Sequence, residues 1–349
     1  MSLTFPPNPK QVCIIAEISA NHNQDRARAF ALLNAAINAG ADAIKIQTYT
    51  ADTLTLKSNR PEFKIDQESL WQGRTLHDLY QEACTPWEWQ KEMKEYSEDR
   101  GIPLFSSPFD SSSVKFLESI NVPAYKIASP EIVDKELIQM CAATGKPIVI
   151  STGMSRMEEI GEAVTWARQG GADDITLLKC TSAYPAKSSE MNLNSIPQLA
   201  SKFGLPVGLS DHTLGDTVAI AAVALGARMI EKHFTLYRSD GGPDAAFSME
   251  PEEFRKMVNQ IRMTEEALGS REWTMSPREK ENRIFRRSLY WIEDLTEGQL
   301  VERKHFKSIR PANGLPPKHL NTLLGSKVTR SVKNGDPIKP SDFTKVGNL

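Results

Sequence analysis

From residue 11 to about 268 the chain alternates short apolar runs with longer amphipathic segments. The runs at 12–18, 42–47, 102–106, 124–128, 147–151, 174–179, 206–210 and 228–233 have the length of buried strands. Helical spacing follows at 25–39, 87–100 (after a longer excursion), 111–120, 134–144, 156–169, 192–202, 215–225 and 251–268. Parallel strands need helical crossovers, so eight strand-helix units predict an α/β chain folded as a (β/α)8 TIM barrel. The alternative, a doubly wound open sheet, would carry a Gly-rich nucleotide turn after its first strand. Here that turn reads Ser19-Ala20-Asn21-His22-Asn23-Gln24.

Beyond the barrel, residues 271–285 are charged and weakly periodic, and read as a linker with some helix. Residues 286–349 hold short β-like runs between turns such as Asn313-Gly314 and Asn334-Gly335, the pattern of a small β-rich module. The expected domains are therefore a barrel over 1–270, the linker, and the module over 286–349. The net charge of −2 conceals an asymmetry: the last segment has twelve Lys plus Arg against six Asp plus Glu, and the rest has 30 against 38. These basic residues are dispersed, which disfavours nucleic acid and suits docking on an acidic body or a small anion. Cys13, Cys84, Cys141 and Cys180 form no C-x-x-C pair and read as reduced thiols. No apolar run is long enough for a bilayer and the first residues lack a leader's pattern, so the expected setting is cytoplasmic, with no membrane.

The strongest chemical signal is a pair of histidines at two successive strand ends, Ser210-Asp211-His212-Thr213 and Glu231-Lys232-His233-Phe234-Thr235. Side chains alternate along a strand, so Ser210 shares a face with His212, and Glu231 with His233. Two adjacent strands could aim both imidazoles at one point, giving a two-histidine metal site with open positions. Two separate, satisfied histidines would show the same spacing. Barrel active sites lie at the carboxyl ends of the strands. Those ends also supply Glu17, Lys45, Gln47, Ser106, Ser107, Lys126, Ser129, Glu131, Ser151, Thr152, Lys179, Thr181, Ser182 and Tyr184. Lysines converging with hydroxyls describe a pocket for a compact phosphate- or carboxylate-bearing anion. Glu17 is then a third metal neighbour or a proton-handling group beside the metal. No serine-histidine-acid triad can be ordered from these residues.

Several stretches together resemble the sialic acid synthase family: Ala-Glu17-Ile-Ser-Ala-Asn-His22-Asn, Ile-Lys45-Ile-Gln47-Thr, Tyr-Lys126-Ile-Ala-Ser129-Pro-Glu131, Ser151-Thr-Gly-Met, Ser210-Asp-His212-Thr, Glu231-Lys-His233-Phe-Thr and Gly-Pro-Asp244. The last module, with Arg310-Pro-Ala-Asn-Gly314, resembles that family's antifreeze-like (SAF, β-clip) domain. The resemblance implies condensation of phosphoenolpyruvate with the open-chain aldehyde of an N-acetylated amino sugar. It also implies a divalent metal, Mn first with Mg or Co as alternatives, on His212 and His233, and catalytic roles for Glu17, Lys45 and Lys126. Phosphoenolpyruvate would be held by Lys45, Ser107, Lys126, Ser129, Ser151, Ser182 and Ser210. The sugar would lie toward Gln47, Tyr184, Asp244 and Phe247, capped by Arg310 from the swapped SAF domain of a homodimer. Ile-Gln47-Thr-Tyr-Thr, Ser106-Ser107-Pro-Phe, Lys179-Cys-Thr-Ser182 and Asp244-Ala-Ala-Phe247-Ser resemble the branch that makes pseudaminic acid from 2,4-diacetamido-2,4,6-trideoxy-altrose. The alternatives are N-acetylneuraminate or legionaminate synthesis, a metal-dependent pyruvate aldolase, and a carbohydrate- or ice-binding protein without catalysis.

Overall fold

The computed structural model describes residues 3–65, 70–270 and 272–344. Eight strands close into a parallel barrel in chain order. They are β1 (Cys13–Glu17), β2 (Ala43–Thr48), β3 (Leu104–Pro108), β4 (Tyr125–Ile127), β5 (Ile148–Ser151), β6 (Ile175–Cys180), β7 (Val207–Asp211) and β8 (Met229–His233). Closure is made by β1 against β8, with Glu17 opposite His233, while β1 meets β2 with Glu17 opposite Lys45. Helices α1 (Arg26–Asn38), α2 (Trp87–Glu98), α3 (Ser111–Ser119), α4 (Lys135–Ala142), α5 (Met157–Gln169), α6 (Ser195–Phe203), α7 (Thr217–Ala224) and α8 (Pro251–Leu268) follow the strands in turn. Several helix starts are fixed by side chains: Asp25 caps α1, Asp110 caps α3 and Asp134 caps α4, each accepting from orphan N–H groups of the first turn.

The strands are continuous apolar runs because a parallel barrel buries both faces. Their outward residues, including Ile14, Ile44, Leu104, Ile148 and Ile230, pack with Leu32, Leu117, Ile138 and Phe254 from the helices. The inward residues Ile15, Ala43, Phe105, Ala124, Val149, Leu178 and Met229 form a separate core with Phe5, whose ring lies 4.6 Å from that of Phe105. On β7 the inward position is Gly208, where a Cβ would come within 2.3 Å of the Met229 carbonyl oxygen and 2.7 Å of Leu178. This layer plugs the barrel. Two residues further along, the next inward layer reads Glu17, Lys45, Ser107, Lys126, Ser151, Cys180, Ser210 and Glu231.

Strand β3 starts at Leu104 rather than at residue 102, because Pro103 has no N–H and the Ile102 N–H is taken by the Ser97 carbonyl. The chain divides into two compact units, Met1–Gly269 and Ser270–Leu349. The second contains a short helix (Pro277–Glu281) and an antiparallel pair, β9 (Ser288–Trp291) and β10 (Phe306–Ile309). Its own core gathers Leu289, Trp291, Leu295, Val301, Phe306 and Ile338. Of the sequence segments expected for the linker and the last module, residues 271 and 345–349 lie outside the described residues. Among the described residues no helix is long and apolar enough to cross a membrane.

Candidate active site

Four charges occupy the polar layer of the barrel, with Glu17 0 %, Lys126 2 %, Lys45 3 % and Glu231 4 % exposed. At such depth a charge persists only when compensated. Lys45 Nζ is paired with the Glu17 carboxylate and stands 3.6 Å from Glu231 Oε1, while Lys126 Nζ is 3.8 Å from Glu231 Oε2. Glu17 also accepts from the Ser19 N–H at 2.8 Å, and the Ser210 hydroxyl donates to Glu231 at 3.3 Å. Burial opposes the charge on Lys45, but Glu17 and Glu231 outweigh it and its pKa rises. Burial likewise works against the Glu231 carboxylate, and Lys126 and Lys45 overcome it and lower its pKa. Lys126 is compensated less: burial, with repulsion from Lys45, pulls its pKa down despite Glu231.

Beside the lysines, the hydroxyls of Ser107 and Ser151 are buried with no hydrogen-bond partner among the described residues. Buried hydroxyls without partners are uncommon, and beside two lysines they suit the oxygens of an anion. The Gly153 N–H donates to the Ser129 hydroxyl at 3.0 Å, and a Cβ on Gly153 would come within 2.7 Å of Ser129 Oγ and 2.2 Å of Ser182 Oγ. Glycine therefore lets three strand ends converge on one small space. Lys179 and Ser106, two of the strand-end residues read from the sequence, point away from it. Lys179 Nζ donates to the Cys180 carbonyl and to Thr181, and the Ser106 hydroxyl donates to the Ile46 carbonyl and shares a hydrogen bond with Thr48.

The two histidines do meet, with ring centroids 5.4 Å apart. His212 Nδ1–H donates to the Thr181 carbonyl at 3.0 Å, which leaves Nε2 unprotonated in the neutral ring. Cys180, from the inward face of β6, lies against His212. Burial raises the Cys180 thiol, but the His212 hydrogen bond overcomes this and brings it to about 7. His233 Nδ1 is 3.4 Å from Asp244 Oδ2 and has no hydrogen bond among the described residues. Among the described residues no three His, Cys, Asp or Glu side chains form a metal-holding group. A divalent ion therefore fits only as the sequence implied, on two imidazoles with its other positions open. The Glu17 carboxylate is turned to Lys45 and the Ser19 N–H.

Above the histidines the walls become aromatic. Tyr184 lies 4.4 Å from His212 and 5.2 Å from Phe247, and Phe247 meets His233 edge-on at 4.9 Å. Gln47, half-buried, lies two residues past Lys45 and opposite Ser107 on β3. Arg310 follows β10 in the second unit and is exposed there. Sequence reasoning placed Glu231 and Glu131 at strand ends without giving them a role, and did not bring Cys180 into the site. The signal for Glu231 and Cys180 was the period of two, counted back from His233 and on from Leu178. Glu131 lies on a short turn (Pro130–Val133), and burial pushes its carboxyl up to about 7.

The NeuB family profile matches residues 32–273 and the SAF domain profile residues 286–344. A pseudaminic acid synthase of Campylobacter jejuni (strain 81-176) is 43 % identical over 334 residues, covering 96 % of this chain and 97 % of that protein. One from Helicobacter pylori is 44 % identical over 333 residues, covering 95 % and 98 %. Among solved structures, the N-acetylneuraminic acid synthetase of Leptospira borgpetersenii in complex with citrate superposes with a TM-score of 0.70 at 32 % identity, covering 78 % of this chain and 90 % of that one. With its barrel, its converged strand-end residues and these matches over nearly all its length, the chain belongs to the NeuB family and carries a SAF domain.

Proposed function

We propose that the protein is a transferase that condenses phosphoenolpyruvate with 2,4-diacetamido-2,4,6-trideoxy-altrose and water, giving pseudaminate and phosphate. The observation that carries the chemistry is the buried ring of Lys45, Lys126 and unpartnered serine hydroxyls beside two adjacent imidazoles. The choice of branch rests on relatives named pseudaminic acid synthase at 43–44 % identity.

Lys45, Lys126, Ser107, Ser129, Ser151, Ser182 and Ser210 bind the phosphate and carboxylate of phosphoenolpyruvate. Gln47, Tyr184, Asp244 and Phe247 hold the sugar with its aldehyde toward the histidines. A divalent ion on His212 and His233, Mn first and Mg or Co otherwise, would supply Lewis acidity at that aldehyde. Carbon 3 of phosphoenolpyruvate bonds to the aldehyde carbon, and the aldehyde oxygen takes a proton to become a hydroxyl. Water adds at carbon 2, and the tetrahedral centre expels phosphate with C–O cleavage to leave the ketone. Glu17, held by Lys45 and the Ser19 N–H, is the group placed to move the proton. The SAF domain is assigned to the partner barrel of a swapped dimer in the cytoplasm, with Arg310 over the sugar. The basic tail segment over an acidic body supports that docking.

The test is phosphate release from phosphoenolpyruvate by Mn-loaded protein offered the trideoxy-altrose, its legionaminate-type isomer and N-acetylmannosamine in parallel. Release with the first alone is expected. Preference for either other sugar moves the protein to that branch, and silence with all three refutes the reading.

A further inference from the structure

The two histidines are not held alike. His233 is the last residue of β8, in register with Glu17 of β1, and its carbonyl accepts from the Met249 N–H at 2.8 Å. The register of β7 with β8 stops at Asp211 opposite Lys232, one residue short of His212. Toward β8, side chains take the ladder's place at His212.

Asp211 and Lys232 alternate with Ser210, His212, Glu231 and His233, so their side chains leave the strands on the side away from the barrel interior. Each is 1 % exposed. Lys232 Nζ donates to Asp211 Oδ2 at 2.8 Å and to the Thr213 carbonyl at 2.5 Å. Asp211 Oδ1 accepts from the Thr213 N–H at 2.9 Å and from the Thr213 hydroxyl at 2.8 Å. A carboxylate bonded to the N–H two residues on makes an Asx turn, and the middle residue of this one is His212. On the β6 side, the His212 carbonyl accepts from the Ala186 N–H at 3.0 Å.

Stability alone does not account for two charges at this depth. An intact buried ion pair is worth about as much as apolar residues of similar volume, which carry no desolvation penalty. What an apolar pair cannot supply is the set of bonds to Thr213, which fix the backbone on the far side of His212. An imidazole whose backbone is fixed in this way loses less freedom when an ion arrives, and supporting groups behind metal ligands set affinity by about 10–100-fold.

We propose that Asp211 and Lys232 are positioning residues for the metal site: their ion pair closes the turn around His212 and holds its imidazole beside that of His233, so that both can reach one ion. The inference rests on the metal assignment above and adds two residues whose side chains point away from the site.

Full-length wild type, Asp211→Leu/Lys232→Met and Asp211→Asn/Lys232→Met are stripped of metal and titrated with Mn, read by the electron paramagnetic resonance of the free ion. Phosphoenolpyruvate binding by calorimetry and the melting temperature are measured on the same samples. Asp211→Leu/Lys232→Met should bind Mn about tenfold or more weakly. Its melting temperature should stay close to that of wild type, and its affinity for phosphoenolpyruvate should be unchanged. Asp211→Asn/Lys232→Met keeps an oxygen for the Thr213 N–H but lacks the tie from Lys232 to the Thr213 carbonyl, so its Mn affinity should fall between the other two. Wild-type Mn affinity in Asp211→Leu/Lys232→Met overturns the proposal, as does a parallel loss of phosphoenolpyruvate affinity, which would mark a general loosening of the barrel mouth. Should that variant fail to fold, Asp211→Asn/Lys232→Met decides, and Mn affinity equal to wild type refutes the positioning role. Wild type that binds no Mn, or binds it equally well as His212→Ala, would overturn the metal assignment and this inference together. Mn held by wild type through His212 and held equally by Asp211→Leu/Lys232→Met would overturn the inference alone.

Discussion

Lys45→Met separates what the buried charges contribute to folding from what they do in the site. Lys45 is 3 % exposed and is the cation paired with Glu17, itself 0 % exposed. Glu231 keeps Lys126 at 3.8 Å when Lys45 is gone, so the uncompensated charge is that of Glu17. Breaking a buried pair from one side costs about 3–5 kcal/mol. At about 2–4 °C per kcal/mol for chains of roughly this size, the barrel's melting temperature should fall by about 10 °C. Adding Glu17→Gln removes the stranded charge, and its amide oxygen can still accept from the Ser19 N–H. Glu17→Gln/Lys45→Met should therefore return to within about 1 kcal/mol of wild type, because an intact buried pair is worth little beyond neutral residues of similar shape. Urea and thermal unfolding of wild type, both single variants and the double variant close the cycle, and phosphate release is measured on the same samples. Full stability recovered in the double variant without turnover would assign the pair to the site chemistry. A single variant as stable as wild type, or a double variant less stable than Lys45→Met, refutes the compensation argument.

Three further perturbations test other parts of the site. His212→Ala and His233→Ala should each lose Mn retained through gel filtration, measured by elemental analysis, together with turnover; full retention in either removes that residue from the ligand set. Gly153→Ala drives a methyl between Ser129 and Ser182, so the KM for phosphoenolpyruvate should rise about tenfold or more with an unchanged melting temperature, and an unchanged KM would place the anion elsewhere. Glu131 and His22 load the pH profile in opposite directions. Burial lifts Glu131 from 4.5 to about 7, so the folded state holds a proton the unfolded chain has released, and stability falls as pH rises through that window. Burial lowers His22 from 6.5 to about 4, so the unfolded chain binds the extra proton and stability falls as pH drops through that range. Glu131→Gln should leave the His22 slope alone, a gain of about 3 kcal/mol on raising the pH from 4 to 6.5; a profile identical to wild type in urea titrations refutes the assignment.

The barrel was legible because strands buried on both faces leave uninterrupted apolar runs, and among the strand starts only that of β3, behind Pro103, is displaced by two residues. The site was legible wherever the period of two could be anchored. Ile15 to Glu17, Ala43 to Lys45 and Ala124 to Lys126 each step from the apolar plug to the charged layer. It failed where the anchor was missing. On β6 a reading in which Lys179 lines the pocket is wrong by one residue, and a slip of one exchanges the faces, so Lys179 braces the rim while Cys180 enters the site. Asp244 lies on a loop, where no periodicity tells which side chains will meet, and only the family resemblance named it.

The same layer reconciles its glutamates with the anion site proposed above. Without Glu17 and Glu231, two lysines in a dry barrel would each lose the solvation that keeps them charged, and burial would drive them toward the neutral form. The glutamates keep the lysines protonated before the anion arrives. The balance is uneven: Lys45 has two carboxylates within reach, whereas among the described residues Lys126 pairs only with Glu231 at 3.8 Å and its pKa remains lowered. In that proposal an incoming phosphate or carboxylate gains most at Lys126, on the side where the Ser107 and Ser151 hydroxyls have no partner among the described residues. On that reading the barrel's polar layer is solvated by its own carboxylates at Lys45 and left for the substrate to complete at Lys126.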